Sequence, residues 1–226
     1  MSILYEERAS DSPYLEKVTR GWTTGDGTTI RPSEDHWHMV FARHNGRAFP
    51  IFVGPLTTSG VVSYGAGAEV LWIQFRLGTY MPHLPPRDFL DLETPLPGAA
   101  GQSFWLKGST WELPDFDNVD TFVERLVREG VLVCDPVVKE ALAGHPPPAI
   151  APRTLRHRFL RATGLTQGHL FQSARARQAQ VLLRQGTSIL DTVFQAGYFD
   201  QPHLTRALKH YLGQTPAQIA RLAEPG

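Results

Sequence analysis

The sequence has one cysteine, Cys134, among 226 residues, so no disulfide can form within the chain. A single thiol fits a reducing compartment, and the expected location is the cytoplasm. No apolar run approaches the roughly 20 residues of a membrane-spanning helix, and the first residues lack the pattern of a signal peptide. A phosphate-binding loop, a dinucleotide fingerprint and a nucleophile motif are also missing. We therefore expect no enzyme, no cofactor and no metal.

Net charge is absent as well, because 22 basic and 22 acidic residues cancel. Their distribution is uneven. From residue 151 onward there are ten Lys and Arg and three acidic residues, a formal charge of +7, whereas the rest has twelve and nineteen, a charge of −7. This asymmetry predicts that the C-terminal part binds a polyanion such as nucleic acid, with a merely solvated basic surface as the alternative.

Residues 20–112 are predicted to be β-rich. Short apolar runs there are separated by Gly, Pro and Asn, for example at 39–42, 48–53 and 70–75. Many short strands between turn residues are typical of a sandwich or a barrel. A helical period follows at 119–133, with Val119, Phe122, Val123, Leu126 and Val127 on one face. A short helix is then predicted at 135–143.

The stretch Gly144–Pro148 contains three prolines and is predicted to be a stiff connector that breaks any helix. Every later segment has a helical pattern. We therefore predict an α+β chain with a β-rich domain at 1–134, ending in a helix, and an all-α domain at 135–226. DNA affinity is expected in 135–226 and not in 1–134.

Helix ends are marked clearly in the C-terminal part. Helices are predicted at 154–163, ending at Gly164, and at 167–185, ending at Gly186. Three later helices are predicted to begin with the capping residues Ser188, Asp200 and Thr215.

The segment 188–213 predicts two short helices joined by a tight turn at Gly197, where a positive φ is expected. In its second helix Leu204, Ala207, Leu208 and Tyr211 share one face and are predicted to pack inward. The opposite face is polar, with Pro202, Arg206, Lys209 and His210 on it and His203 at its side. An ordinary helical hairpin with a polar outer face is the alternative on periodicity alone.

A long signature in this region resembles that of AraC/XylS-type transcriptional regulators. Its residues are Ile189, Asp191, Gly197, Tyr198, Asp200, Gln201, His203, Leu204, Arg206, Leu208, Lys209, Gly213, Thr215 and Pro216. Upstream, 152–165 and 175–183 resemble the end of that family's first helix-turn-helix and its linking helix. Thr192 and Val193 depart from the family, which usually has Ile and Ala there, and Pro202 replaces a residue that is often small and polar.

The resemblance implies two helix-turn-helix units in successive major grooves of double-stranded DNA. Gln201 and Arg206 are the candidate base contacts, because Gln pairs with adenine and Arg with guanine. His203 and Lys209 are candidate phosphate contacts, with Pro202 on the same surface. The candidate contacts of the first unit are Arg153, Thr154, Arg156 and His157, and Arg158 and Arg161 add charge.

The first unit is unusually short, because the family usually has a scaffold helix before the first recognition helix. Either 135–143 serves as that scaffold, or the unit is truncated. A shortened unit is expected to contribute phosphate contacts, so that dimerisation or RNA polymerase supplies further specificity.

The N-terminal half resembles the sensor half of one AraC-like subgroup. The matching residues are Gly54, Pro55, Leu56, Thr57, Trp72, Ile73, Phe75, Gly78, Leu92, Pro95, Leu96 and Pro97. The resemblance implies a sensor or dimerisation domain, so a small-molecule effector and a second copy of the chain are candidate partners, whereas a membrane is not.

A cupin-like barrel also fits the strand pattern, so a cupin-type metal-binding protein or enzyme with a fused DNA-binding tail is the alternative. Its metal would need imidazoles such as His36, His38, His44 and His83, but the downstream Glu and His of cupins are not evident, and surface or packed histidines are the simpler interpretation. The five tryptophans are expected in the core or around an apolar ligand pocket. They are Trp22, Trp37, Trp72, Trp105 and Trp111.

Overall fold

The computed structural model describes residues 3–145 and 149–222. Within them the chain forms twelve short strands and seven α-helices. The strands are β1 (Ile3–Arg8), β2 (Leu15–Thr23), β3 (Gly27–Arg31), β4 (His38–His44), β5 (Arg47–Val53), β6 (Gly60–Tyr64), β7 (Glu69–Phe75), β8 (Thr79–Tyr80), β9 (Glu93–Pro95), β10 (Ser103–Leu106), β11 (Ser109–Glu112) and β12 (Val133–Cys134). The helices are α1 (Val119–Arg128), α2 (Pro136–Leu142), α3 (Pro152–Thr163), α4 (Gln167–Arg184), α5 (Ile189–Gln195), α6 (Gln201–Leu212) and α7 (Pro216–Arg221). The predicted α+β class, β-rich and then helical, is confirmed.

Six strands pair as one antiparallel sheet in the order β1-β2-β7-β4-β5-β9. The others pair as β10-β11, β12-β8 and β3-β6. In the centre of the sheet Met39 lies opposite Ile73 and Phe41 opposite Leu71, and all four are buried. Because alternate residues of a strand share a face, these four side chains form one apolar surface.

Helix α1 contributes its buried residues to the same apolar cluster as this surface. The predicted inward face is confirmed, because Val119, Phe122, Val123 and Leu126 are buried and Val127 is partly buried against the same cluster. The predicted length is wrong, because the helix ends at Arg128 rather than near 133. Gly130 follows with a φ of 63°, and the next residues pair as β12 with β8, which stops the helix.

The tryptophans differ in burial more than expected. Trp37 and Trp111 are buried, and Trp37 stacks on Phe75 with 3.9 Å between ring centroids. Trp22 and Trp72 are half-buried, and the expectation is wrong for Trp105, which is 47% exposed. In the hairpin β10-β11, Trp105 alternates with the buried Phe104 and Leu106, so its side chain faces away from the core.

Two compact packing units make up the chain, and neither is contiguous in sequence. The first contains the described residues within 1–27, 36–55 and 63–166, and the second those within 28–35, 56–62 and 167–226. The predicted boundary at 134/135 therefore does not coincide with the packing units. It stays a prediction about which parts fold and bind alone, and its proline connector at 146–148 lies outside the described residues.

Helices α2 and α3 belong to the first unit for two local reasons. Asp135 caps α2 and also binds Arg158 of α3 through two hydrogen bonds of 2.9 Å. At the end of α3, Gly164 lies so close to the backbone of Pro86 that an added Cβ would be 3.0 Å from its carbonyl carbon. In the described part of the chain no helix is long and apolar enough to cross a membrane.

Candidate nucleic-acid interface

Helices α5 and α6 form the predicted helix-turn-helix. Ser188 caps α5 by accepting a hydrogen bond from the Asp191 amide, at 3.1 Å. Asp200 caps α6 by accepting one from the His203 amide, at 2.7 Å. Gly197 in the turn has a φ of 69°, a backbone conformation that glycine adopts without strain. The predicted caps and turn are confirmed.

The inward face of α6 packs against α4, α5 and α7. Leu204, Leu208 and Tyr211 are buried in one cluster, and the half-buried Ala207 packs against it. From α4 this cluster receives the small residues Ala176 and Ala179 together with Leu183. Small side chains allow two helices to approach closely, so α4 is the platform on which α6 is fixed. Thr192 and Val193, which depart from the family signature, are buried in α5.

The outward face of α6 presents the residues predicted from the sequence. Gln201, Pro202, Arg206 and Lys209 are exposed. Within the described residues neither Arg206 nor Lys209 takes part in an ion pair, so both charges are available to a polyanion. His203 is half-buried, with its ring 5.2 Å from that of Tyr198.

The residues predicted as DNA contacts on α3 are all exposed. They are Arg153, Thr154, Arg156 and His157. Of the two basic residues expected only to add charge, Arg158 is paired with Asp135, whereas Arg161 is exposed and lies over the ring of Tyr80 at 5.6 Å. The bond to Asp135 raises the pKa of Arg158. Helix α2 packs against α3, so α3 has a helical partner from 135–143.

Residues 149–221 match the model of a helix-turn-helix domain family. This range contains α3 to α7 and therefore both candidate recognition helices. Residues 149–221 form an AraC-type helix-turn-helix domain. The resemblance stated from the sequence signature is confirmed.

Two solved structures similar to the whole chain are those of ToxT from Vibrio cholerae. One has 11% identity and a TM-score of 0.40, with 98% of this chain and 99% of that chain covered. The other, bound to (E)-4-(8-methylnaphthalen-1-yl)but-3-enoic acid, has 12% identity and a TM-score of 0.41, with 99% and 100% covered. Because these scores are low, neither similarity bears on function. No curated protein sequence matches the chain.

Exposed apolar residues of the AraC-type domain were missed by the sequence analysis. Phe199 is 90% exposed and directly precedes the cap of α6, while Phe194 and Leu190 on α5 are 78% and 62% exposed. A signal was present, because Phe199 is a large apolar residue at a turn position next to a capping Asp. Exposed aromatic side chains at the start of a recognition helix lie where base edges would be contacted.

Two tyrosines in the AraC-type domain titrate abnormally. Burial raises the pKa of Tyr198, and the nearby Arg175 guanidinium partly offsets the increase. Burial also raises the pKa of Tyr211, with a further contribution from the carboxylate of Asp35. Both side chains are therefore neutral near pH 7.

The histidines considered for a metal do not form a ligand cluster. Across residues 3–145 and 149–222 there is no group of three or more His, Cys, Asp and Glu that could hold a metal ion. Burial lowers the pKa of His83, and the charge of Lys107 lowers it further.

Proposed function

We propose that the chain is a sequence-specific, DNA-binding transcriptional regulator of the AraC type, with α6 as its base-reading helix. The observation that carries this proposal is the two-sided nature of α6. One face is buried against α4, and the other exposes Gln201, Arg206 and Lys209. The N-terminal end of such a helix enters the major groove, where side chains reach base edges.

The roles follow from side-chain chemistry. Gln201 and Arg206 contact bases through paired hydrogen bonds, whereas Lys209 and His203 contact phosphates. Pro202 lies at the start of α6, where its missing N–H costs nothing. Phe199 is the additional contact, because an apolar ring fits against the methyl group of thymine.

Helix α3 contributes mainly phosphate contacts in this proposal. Its exposed Arg153, Thr154, Arg156 and His157 form a basic and polar surface. Phosphate contacts position a protein on DNA without selecting sequence. Base selection is therefore concentrated in α6, and RNA polymerase or a second copy supplies the remaining specificity, since one module buries only about 600–1,000 Å².

The N-terminal region is proposed to sense a small molecule or to dimerise. A cleft of about 160 Å³ in the first packing unit is the candidate site for such a molecule. Its lining combines the apolar Phe41 and Leu71 with the charged Arg20, Arg43 and Glu69. Pockets for drug-sized ligands measure about 300–1,000 Å³, so only a smaller molecule could be held in this cleft.

The test of the DNA-binding proposal is selection of binding sites from a pool of random duplexes with the full chain. A recurrent short sequence, bound with an affinity that falls steeply as salt rises, supports it because phosphate neutralisation releases counterions. Binding of all duplexes with equal affinity would contradict sequence-specific recognition.

A further inference from the structure

The C-terminal end of the recognition helix α6 is capped by residues from far away in the sequence. The Ser33 amide donates to the Tyr211 carbonyl at 2.7 Å, and the Ser59 amide to the His210 carbonyl at 2.8 Å. The Ser59 hydroxyl donates to the Lys209 carbonyl at 2.9 Å. The last four carbonyl groups of a helix accept no hydrogen bond from within the helix. These three bonds therefore provide carbonyls at the end of α6 with donors from outside the helix.

The same region of the chain also holds α4 through Asp35, whose side chain is buried. The Ser173 hydroxyl donates to Asp35 Oδ2 at 2.7 Å, and the Arg177 guanidinium binds the same oxygen. A second nitrogen of Arg177 donates to the Ser33 carbonyl at 3.2 Å. A buried carboxylate is stable only when paired in this way.

Residues 28–35 and 56–62, which we call the clamp, are joined to each other. Glu34 and Leu56 exchange two backbone hydrogen bonds of 2.8 and 2.9 Å, and β3 pairs with β6. The clamp also lies against Gly213, which ends α6 with a φ of 70°. A Cβ added at Gly213 would be 2.6 Å from Ile30 Cγ2, so a larger residue there would have to displace Ile30.

We propose that the clamp positions the recognition helix, with Asp35 as its principal positioning residue. The clamp binds both α4 and the end of α6, so it fixes the angle between the platform helix and the helix that contacts bases. Base contacts depend on that angle, because a bidentate hydrogen bond tolerates little displacement, whereas phosphate contacts depend on it much less. This inference rests on the proposed DNA-binding function.

The DNA-binding unit then includes two segments from the first 62 residues of the chain. Along the sequence, residues 28–35 lie between β2 and β4, and residues 56–62 lie between β5 and β7. All four of these strands belong to the six-stranded sheet. Residues 135–226 alone lack both segments. Without Asp35 their Arg177 and Ser173 lose the carboxylate that they share in the full chain.

The test uses the full chain with Asp35→Asn, and Asp11→Asn as the matched control. Asp11 is exposed, and removing its charge changes the net charge by the same amount. Long-range electrostatics alone would make both variants bind DNA slightly more tightly. The clamp predicts the opposite for Asp35→Asn, which is about tenfold weaker binding to a duplex selected by the unaltered chain.

The readout that separates positioning from folding is the ratio of affinities for the selected duplex and for an unrelated duplex of equal length. We expect Asp35→Asn to lower this ratio about tenfold, with binding to the unrelated duplex within about twofold of the original. A second variant, Thr58→Val combined with Ser59→Ala, removes two hydroxyl donors to the helix end and keeps Asp35. It should lower the ratio in the same direction.

Amide hydrogen exchange gives an independent check, because Ser33 and Ser59 should be protected in the full chain and lose protection in Asp35→Asn. An unchanged affinity ratio in both variants, or an equal loss on both duplexes, would overturn the clamp and leave the DNA-binding function intact. If the unaltered chain bound all duplexes equally, that result would contradict the proposed sequence-specific function, on which the clamp rests.

Discussion

The guanidinium of Arg175 lies over the ring of Tyr198, with 3.9 Å between Arg175 Cζ and the ring centroid. Arg175 belongs to α4, and Tyr198 follows Gly197 in the turn of the helix-turn-helix. The Tyr198 side chain is buried, so the pair is largely removed from water. Desolvation strengthens a cation–π contact, and the contact therefore ties the turn before α6 to the platform helix.

Arg175→Lys should destabilise the protein although it keeps the charge. Lysine lacks the planar group that stacks on an aromatic ring, so we expect a loss of about 1–2 kcal/mol in the free energy of unfolding. Urea unfolding measures this loss. The control is Arg184→Lys, an exposed position on the same helix, and equal stabilities of the two variants would contradict the role of the stack.

The raised pKa values of Tyr198 and Tyr211 predict a loss of stability at alkaline pH. A tyrosine with a raised pKa in the folded state releases its proton more readily when unfolded, so its contribution is complete below about pH 10 and is lost above it. The free energy of unfolding should therefore fall as pH rises from 9 to 11.

Replacing both buried tyrosines by Phe should make this fall shallower. Tyr5→Phe, at a position that is 62% exposed, is the control and should leave the slope unchanged. A slope that is equally steep in the double variant would show that other groups cause the alkaline loss.

The helix-turn-helix could be predicted because its determinants are local. Asp200 and His203 are three residues apart, and the inward face of α6 repeats at helical spacing, so both signals lie within a dozen residues. The clamp has no such signal. Ser33 and Tyr211 are joined by one hydrogen bond across most of the chain, and nothing in the sequence around Ser33 marks it as a cap.

The first helix-turn-helix shows the same limit of prediction from sequence. The helical period of α3 is visible in the sequence, but the ion pair of Arg158 with Asp135 is not, because the two residues are distant in sequence. Strand pairing was equally hidden, since apolar runs indicate strands and not their neighbours in a sheet. Tertiary contacts of this kind decide which basic residues remain available to DNA.

Arg206→Ala should lower specific affinity by about 1–3 kcal/mol and relax the preference at one base pair. Arg206 is exposed on α6 and free of acidic partners among the described residues, so its replacement removes no packing contact and, in the proposed function, removes a base contact. Binding-site selection with the variant measures the change. Unchanged base preference would remove Arg206 from this role.

Lys209→Ala serves as the contrasting variant on the same helix. As a phosphate contact, Lys209 should matter equally for all sequences, and the slope of log affinity against log salt should decrease by about 1. A change in base preference would assign Lys209 to base contacts instead.

Phe199→Ala should weaken binding at one thymine by about 1 kcal/mol if its ring contacts the methyl group. Titrations with duplexes in which uracil replaces thymine test the contact directly, because uracil lacks that methyl. Replacing thymine by uracil should not lower the affinity of Phe199→Ala for the duplex. It should still lower the affinity of the control Phe194→Ala, a position that is also highly exposed. Equal sensitivity to uracil in both variants would exclude the contact.

Helix α3 should contribute affinity for DNA without base preference. The structure shows which of its charges are available for phosphate contacts. Arg158 is paired with Asp135, so the charges left for DNA are those of Arg153, Arg156 and the exposed Arg161, with His157 beside them. Replacing Arg153 and Arg156 together by Ala should weaken all duplexes about equally. The salt slope should then decrease by about 2.

Selection with the unaltered chain should accordingly yield one short preferred element, because in the proposed function only α6 distinguishes bases. The control is Arg184→Ala, which removes an exposed charge from α4 and should change neither the element nor its length. Two well-defined elements about one helical turn apart would show that α3 contacts bases as well. In that case the Arg153 and Arg156 variant should lose one of the two elements and keep the other.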